Sequence, residues 1–492
     1  MAAGRIGPLA IAVCCAALVA STADAGARAA RPAPVIPPGE HAPVDVVYAD
    51  AAARLIGAAM TSDHAYTRLS ELCDGIGNRL SGSEALDRAV QWAAQSMRAD
   101  GADRVVLQPA MVTHWVRGEE SAVMVEPRVQ RLAMLGLGRS VATPPGGITA
   151  DVLVVGSFDE LKALPNAAIR GKIVLWDVPF TTYGETVRYR SDGAKRAGAR
   201  GAVASLVRSV GPVSLRTPHT GNMGAYVDSI PQIPGAAVSI EDATMIRRLT
   251  SRGQRVQVKL EMNAQTLPNT LSHNVIGEIR GRERPDEIVL VGGHLDSWDV
   301  GSGAHDDGGG CIISMEVLRL MKQLGLRPRR TVRAVLWTNE ENGLKGAEAY
   351  RDSAGATVEK HVAALETDGG VERPAGFGFK INRTDVDSVD TQRTARALVQ
   401  AKQISKLLTG LGAGEVNDSG GGADIGPLMK RGIPGVAHHT VGEHYFDWHH
   451  TQSDMLDKVD PIELRKNVAA VAIMVYVLAD MPGRLGEERK AP

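Results

Sequence analysis

The apolar positions of this chain fall into three successive rhythms. Over residues 48–101 they recur at helical spacing, and Ser81-Gly82-Ser83-Glu84 has the form of an N-cap and first turn ahead of A-L-D-R-A-V-Q-W-A-A. V-V-L-Q-P-A-M-V then predicts a strand. After Arg117-Gly118 come many short β runs, among them S-A-V-M-V, R-L-A-M-L, A-D-V-L-V-V, K-I-V-L-W and G-A-V-A-S-L-V, parted by turn residues such as T-P-P-G-G. They predict a β-rich module, residues 119–268, inserted into a larger domain. From residue 269 onward, apolar runs alternate with helices. E-I-V-L-V-G-G precedes a helix over 308–324, and R-T-V-R-A-V-L-W-T precedes one starting near Lys345. H-V-A-A-L-E-T, a helix over 391–409, I-P-G-V-A-H-H and a last helix over 461–481 follow. This pattern predicts an α/β fold with a mixed, mostly parallel sheet sandwiched by helices.

The first residues change the picture of where the chain works. Arg5, an apolar run over residues 8–20 and then S-T-A-D-A give the three parts of a secretory signal, with cleavage after Ala25. The run is shorter than the roughly 20 residues that span a bilayer. The mature chain is therefore expected to be exported without a membrane anchor, to a periplasm, the medium or a lysosome-like compartment. Residues 26–118 would form the first part of the catalytic domain, with a flexible Ala/Pro/Arg lead-in, and residues 269–485 the rest. A formal charge of −1 and 4% aromatic residues argue against nucleic acid as a partner. Outside the signal only Cys73 and Cys311 remain, too few for a disulfide framework or a cysteine zinc site, and both are expected to be buried thiols.

The chemistry concentrates between His294 and Asp307, in H-L-D-S-W-D-V-G-S-G-A-H-D-D, with Glu340-Glu341, Asp368 and the stretch from His438 to His450 downstream. Clustered carboxylates repel one another and desolvate poorly unless they hold metal. Two His with three or four acids suit a pair of divalent cations, zinc above all. His294, Glu340-Glu341 and Asp368 each follow an apolar run, so they would meet at the carboxyl ends of strands, where open α/β sheets bind ligands. The glycines around Asp306 let backbone pass close to an ion. Singly, each feature has a plainer reading: Glu340-Glu341 as helix-dipole compensation, Asp306-Asp307 as a turn, His294 as a core histidine. Their joint occurrence in this order favours metal.

The order H-x-D, D-D, E-E, D, and H followed four residues later by D resembles the di-zinc exopeptidase family of zinc aminopeptidase and glutamate carboxypeptidase type. Longer runs, including G-H-L-D-S-W-D-V-G-S-G-A-H-D-D-G-G-G and T-P-P-G-G-I-T-A, extend the resemblance over most of the mature chain. It implies two zinc ions bridged by Asp306, with His294 and Asp368 on one and Glu341 and His450 on the other. Glu340 would be the general base, and Asp296 the carboxylate orienting His294. The substrate would be a dipeptide or short peptide, residues 119–268 a protease-associated lid, and the assembly a homodimer. His449 falls where relatives place an oxyanion-stabilising side chain, and Tyr445 and His305 would line the pocket. His438, His439 and His444 read as a loop that does not touch metal. Asp424 either meets a substrate amine or caps the next helix. An aminopeptidase, or a non-catalytic binding protein on the same fold, are the alternative functions.

Overall fold

The computed structural model describes residues 42–487, apart from residue 214 and residues 384–387. The expected signal, residues 1–25, lies outside them. The main sheet has eight strands in the order Arg104–Val116, Gln265–Ile279, Arg330–Trp337, Arg284–His294, His361–Glu366, Gly435–Thr440, Pro374–Lys380 and Glu415–Asn417. Its centre is parallel: Arg284–His294 pairs in parallel with both Arg330–Trp337 and His361–Glu366, which pairs in parallel with Gly435–Thr440. The first two pairings of the series are antiparallel, as is that of Pro374–Lys380 with Gly435–Thr440. The expected mixed sheet is borne out.

Both faces of this sheet are covered, which is why its strands read as unbroken apolar runs. In Arg284–His294, Val289 and Val291 enter one core with helices Ala49–Met60, His64–Gly75, Glu84–Ala99, Gly309–Gln323 and Pro461–Asp480. Ile288 and Leu290 enter the opposite core with Ala347 and Tyr350 of helix Lys345–Ala354. Helix Glu84–Ala99 starts where the sequence signals it, with the Ser83 hydroxyl accepting from Leu86 N. Helix Pro461–Asp480 is buried without a break from Asn467 to Asp480, as befits a helix apolar all round. Asp460 caps it, accepting from Ile462 N and Glu463 N, and Pro461 fits its first turn. Cys73 and Cys311 are buried and free.

Strands Arg104–Val116 and Gln265–Ile279 pair with each other and lead the chain out to a second eight-stranded sheet and back. Its central strand Ile173–Trp176 is wholly buried: Ile173 and Leu175 face helix Ile240–Ser251, while Val174 and Trp176 face helix Tyr183–Gly198. This part is therefore α/β rather than simply β-rich. Helix Tyr183–Gly198 escapes a reading by hydrophobic rhythm because its buried face is made of Thr186, Arg190, Gly193, Ala194, Ala197 and Gly198. Small residues let it lie close on Trp176; a Cβ at Gly193 would meet the indole.

Candidate metal centre

Three neighbouring parallel strands deliver the first candidate ligands. His294 ends one strand, Glu340 and Glu341 lie in the turn after Trp337, and Asp368 follows strand His361–Glu366. Asp306 comes from the turn that enters helix Gly309–Gln323, and His450 from the loop after the short helix Tyr445–Trp448. They converge around Asp306. Its Oδ1 is 3.2 Å from His294 Nε2, which is 3.5 Å from Asp368 Oδ1. Its Oδ2 is 3.2 Å from His450 Nε2, which is 3.1 Å from Glu341 Oε2. The two oxygens of one carboxylate thus serve two separate groups. His449 also reaches this second side, with Nε2 3.6 Å from Asp306 Oδ2 and its ring stacked on His450 at 3.6 Å between centres.

Buried polar groups hold these side chains in place. Asp454 accepts from the N–H groups of Ala304, His305 and Asp306, fixing the Asp306 turn from behind. Asp307 points the other way, accepting from His294 N and Gly310 N. Gly310 is required there, since a Cβ would collide with Asp307 and the Thr367 carbonyl. Arg79, fully buried, donates to the carbonyls of Leu295, Ser302 and Gly303. His450 has a left-handed backbone, φ +61. For a non-glycine residue this costs on the order of 1–3 kcal/mol and persists only where the surroundings impose it.

The expected role of Asp296 needs correcting. His294 Nδ1 lies 2.9 Å from the Asp296 backbone carbonyl, so that carbonyl, not the carboxylate, accepts its proton and fixes the tautomer. The Asp296 carboxylate instead accepts from Glu340 N at 3.0 Å and Glu341 N at 3.3 Å, clamping the turn that carries both glutamates. Glu340 and Glu341 do not offset a helix dipole either, because the next helix begins only at Lys345. Asn339 pins the same turn, donating to Ser81 Oγ and Thr113 Oγ1.

The donor set fits zinc. With its Nδ1 proton given to a carbonyl, His294 turns a lone pair at Nε2 toward carboxylate oxygens, an arrangement that is repulsive without a cation between them. Among the described residues, Asp306 Oδ2, Glu341 Oε1 and Asp368 Oδ1 are buried and accept no well-formed hydrogen bond. Two groups bring their ligand atoms within 4.8 Å of one another: His294, Asp306 and Asp368, and Asp306, His449 and His450. Electrostatics make the same demand. Burial disfavours a charged His294, yet Asp306 and Asp368 lift its pKa well above the ordinary imidazole range. Burial likewise opposes charge on His450, and Glu341 and Asp306 outweigh it. Burial pushes the Glu340 carboxyl well up, with Glu341, Asp368 and Asp296 adding to the effect against the pull of His294. Such a cluster takes up cations, as protons or as metal.

The remaining predicted residues divide. Tyr445 is buried beside His449, 5.2 Å between ring centres, and burial with Asp306 and Asp368 keeps its hydroxyl protonated. Asp424 is buried with neither carboxylate oxygen hydrogen-bonded among the described residues, and it caps none of the described helices; Glu366 accepts from Asp424 N and Ile425 N instead. His305 is not an open pocket wall. Its Nε2 faces the Lys458 carbonyl at 3.2 Å and its Nδ1 accepts from Val371 N, so the ring braces two loops and has nothing left for a substrate. His438 and His439 lie on strand Gly435–Thr440 rather than in a loop, and His444 is exposed beside Asp447. Sequence reasoning named Asp454 only by its spacing and missed Arg79 and Glu366. Glu366 closes the apolar run H-V-A-A-L-E, which was a signal, while Arg79 lies in the polar, glycine-rich stretch G-I-G-N-R-L-S-G and offered none.

Comparison with known proteins identifies the family. The pattern of peptidase family M28 matches residues 274–475. Mouse carboxypeptidase Q is 45% identical over 437 residues, 88% of this chain and 90% of that protein. Human carboxypeptidase Q is 44% identical over 85% of this chain and 86% of its own length. Among solved structures, a peptidase M28 precursor from Shewanella amazonensis SB2B aligns with TM-score 0.84 and 34% identity, covering 91% of this chain and 99% of that one. A zinc aminopeptidase from Bacillus subtilis shares the fold, with TM-score 0.64 and 22% identity over 86% of this chain and 96% of its own. The family resemblance read from the motifs is borne out, and the chain belongs to peptidase family M28.

Proposed function

We propose that this chain is an exported zinc exopeptidase of carboxypeptidase Q type, binding two zinc ions and hydrolysing dipeptides or short peptides. The observation that carries the proposal is Asp306, whose two oxygens each face a separate imidazole–carboxylate pair, with Glu340 in the turn that the Asp296 carboxylate holds. His294 and Asp368 would hold one ion, Glu341 and His450 the other. Bound there, zinc would supply an activated water and polarise the scissile carbonyl. Glu340 takes the proton of the attacking water and passes it to the leaving amine. Asp296 keeps Glu340 and Glu341 in register, so that one can bind metal while its neighbour stays free. Tyr445 and His449 are the donors for the developing oxyanion.

Asp424 supports a second reading. A buried carboxylate with no partner beside Glu366 suits a substrate's free amine, which an aminopeptidase would also need. A panel of dipeptides with free, N-blocked and C-blocked ends, with and without chelator and added zinc, separates the two. We expect hydrolysis of free dipeptides, loss with chelator and return with zinc, and loss on blocking the C-terminus. Hydrolysis that survives C-blocking but not N-blocking would make it an aminopeptidase. No hydrolysis in any arm would favour a binding protein.

The family likeness extends the proposal to residues 119–268 as a protease-associated lid, to a homodimer and to export. An unfolded protein added to the panel should stay uncut if the lid limits entry. Sedimentation should give twice the mass of one mature chain. No described helix is long and apolar enough to cross a membrane.

A further inference from the structure

We infer that the inserted segment is a working part of the metal centre: Thr220 and Arg190 set the imidazole of His450, so that the second ion depends on residues far from the peptidase core. The inference rests on the two-ion reading above. His450 Nδ1 lies 3.3 Å from the Thr220 carbonyl, and Thr220 N donates to the His450 carbonyl at 2.9 Å. The two residues therefore grip each other through backbone and ring together. That grip supplies the restraint that the left-handed backbone of His450 requires. With the Nδ1 proton on the Thr220 carbonyl, Nε2 is the nitrogen left for Asp306, Glu341 and metal.

Arg190 holds the Thr220 carbonyl in position. Its Nη1 donates to that oxygen at 3.1 Å, and its Nη2 donates to the Tyr183 hydroxyl at 2.8 Å. The Nη1 contact of 3.3 Å to His450 Nδ1 cannot be a second hydrogen bond when that nitrogen carries its own proton. Arg190 is buried, its Nε has no partner, and no carboxylate pairs with it among the described residues. A buried cation without a counter-ion is expensive for a fold to keep. Here it occupies one lone pair of the Thr220 carbonyl and fixes where that oxygen sits, leaving the other lone pair for the ring of His450. Two further details keep Arg190 in place. Gly221, at φ +130, leaves room that a Cβ would take from the guanidinium. Thr220 Oγ1 donates to the Gly136 carbonyl at 2.8 Å, tying the segment to the second sheet. Arg190 and Thr220 are positioning residues, since their contacts act on the proposed metal site through His450.

Zinc titrated into the metal-free chain against a competing chelator should show two binding steps. Arg190→Met, which keeps the bulk and removes the donors, should weaken one step by about 10- to 100-fold, the usual cost of losing a group that orients a ligand. The step affected should be the one that His450→Ala removes, and the other should keep wild-type affinity. Arg190→Lys, which can still donate to the Thr220 carbonyl, should recover part of the loss. If Arg190→Met fails to fold, Gly221→Ala reads the same step by displacing the guanidinium. Two steps at wild-type affinity in the variant would overturn the inference. So would equal weakening of both steps in a variant whose metal-free melting temperature is unchanged. A wild-type chain that binds fewer than two ions would overturn the two-ion reading first, and this inference with it.

Discussion

Glu340→Gln should abolish turnover while leaving the zinc content of the protein at the wild-type value. The substitution keeps the shape of the side chain and removes its capacity to take a proton. Glu340 N still donates to the Asp296 carboxylate, because that bond belongs to the backbone. The turn and the neighbouring Glu341, proposed as a ligand, should therefore stay in place. Removing a carboxyl from beside Glu341, Asp368 and Asp296 adds no repulsion, so nothing in the variant expels metal. General-base catalysis is worth about 10²–10⁴ in rate, and the loss should fall on kcat with little change in KM. Hydrolysis assayed alongside metal analysis decides it. Activity within tenfold of wild type would take the proton-transfer role away from Glu340, and a matching loss of zinc would make it a ligand.

Asp306→Ala should have the complementary effect, costing both zinc ions and all activity. Asp306 is the one side chain that serves both groups, Oδ1 toward His294 and Oδ2 toward His450. Without it each pair of remaining candidate ligands loses an oxygen, and the carboxylate that faces both His294 and His450 is gone. The affinity loss should exceed the about 10- to 100-fold that an orienting residue costs. The turn itself should survive, because Asp454 grips the N–H groups of Ala304, His305 and residue 306, which alanine retains. Metal content and the melting temperature of the metal-free variant separate loss of ligation from loss of fold. If the variant still held one ion at wild-type affinity, Asp306 would belong to a single site and would not bridge.

The parts of this centre that were legible in the sequence are those in which chemistry follows directly on a strand. His294, Glu340-Glu341 and Asp368 each end an apolar run, and parallel strands in register bring such ends together. His450 lies on no such run and was found through its spacing to Asp454. What stayed hidden depends on which atom of a residue is used. The sequence places Asp296 two residues after His294, but only the fold reveals that its carbonyl holds the histidine while its carboxylate holds the glutamates. Contacts between remote segments left no trace at all. Thr220 and His450 are joined across the two sheets, and neither the polar helix that carries Arg190 nor the loop around Thr220 has a periodicity that points to a metal ligand. His305 misled for the same reason, since adjacency to Asp306 says nothing of where its ring nitrogens go.

The central claim, two cations sharing Asp306, is tested most directly by crystallising the zinc-loaded protein and collecting anomalous diffraction at the zinc edge. Two peaks are expected, one on each side of the Asp306 carboxylate, with His294 and Asp368 at the first and Glu341 and His450 at the second. A single peak, or zinc bound away from Asp306, would contradict the account.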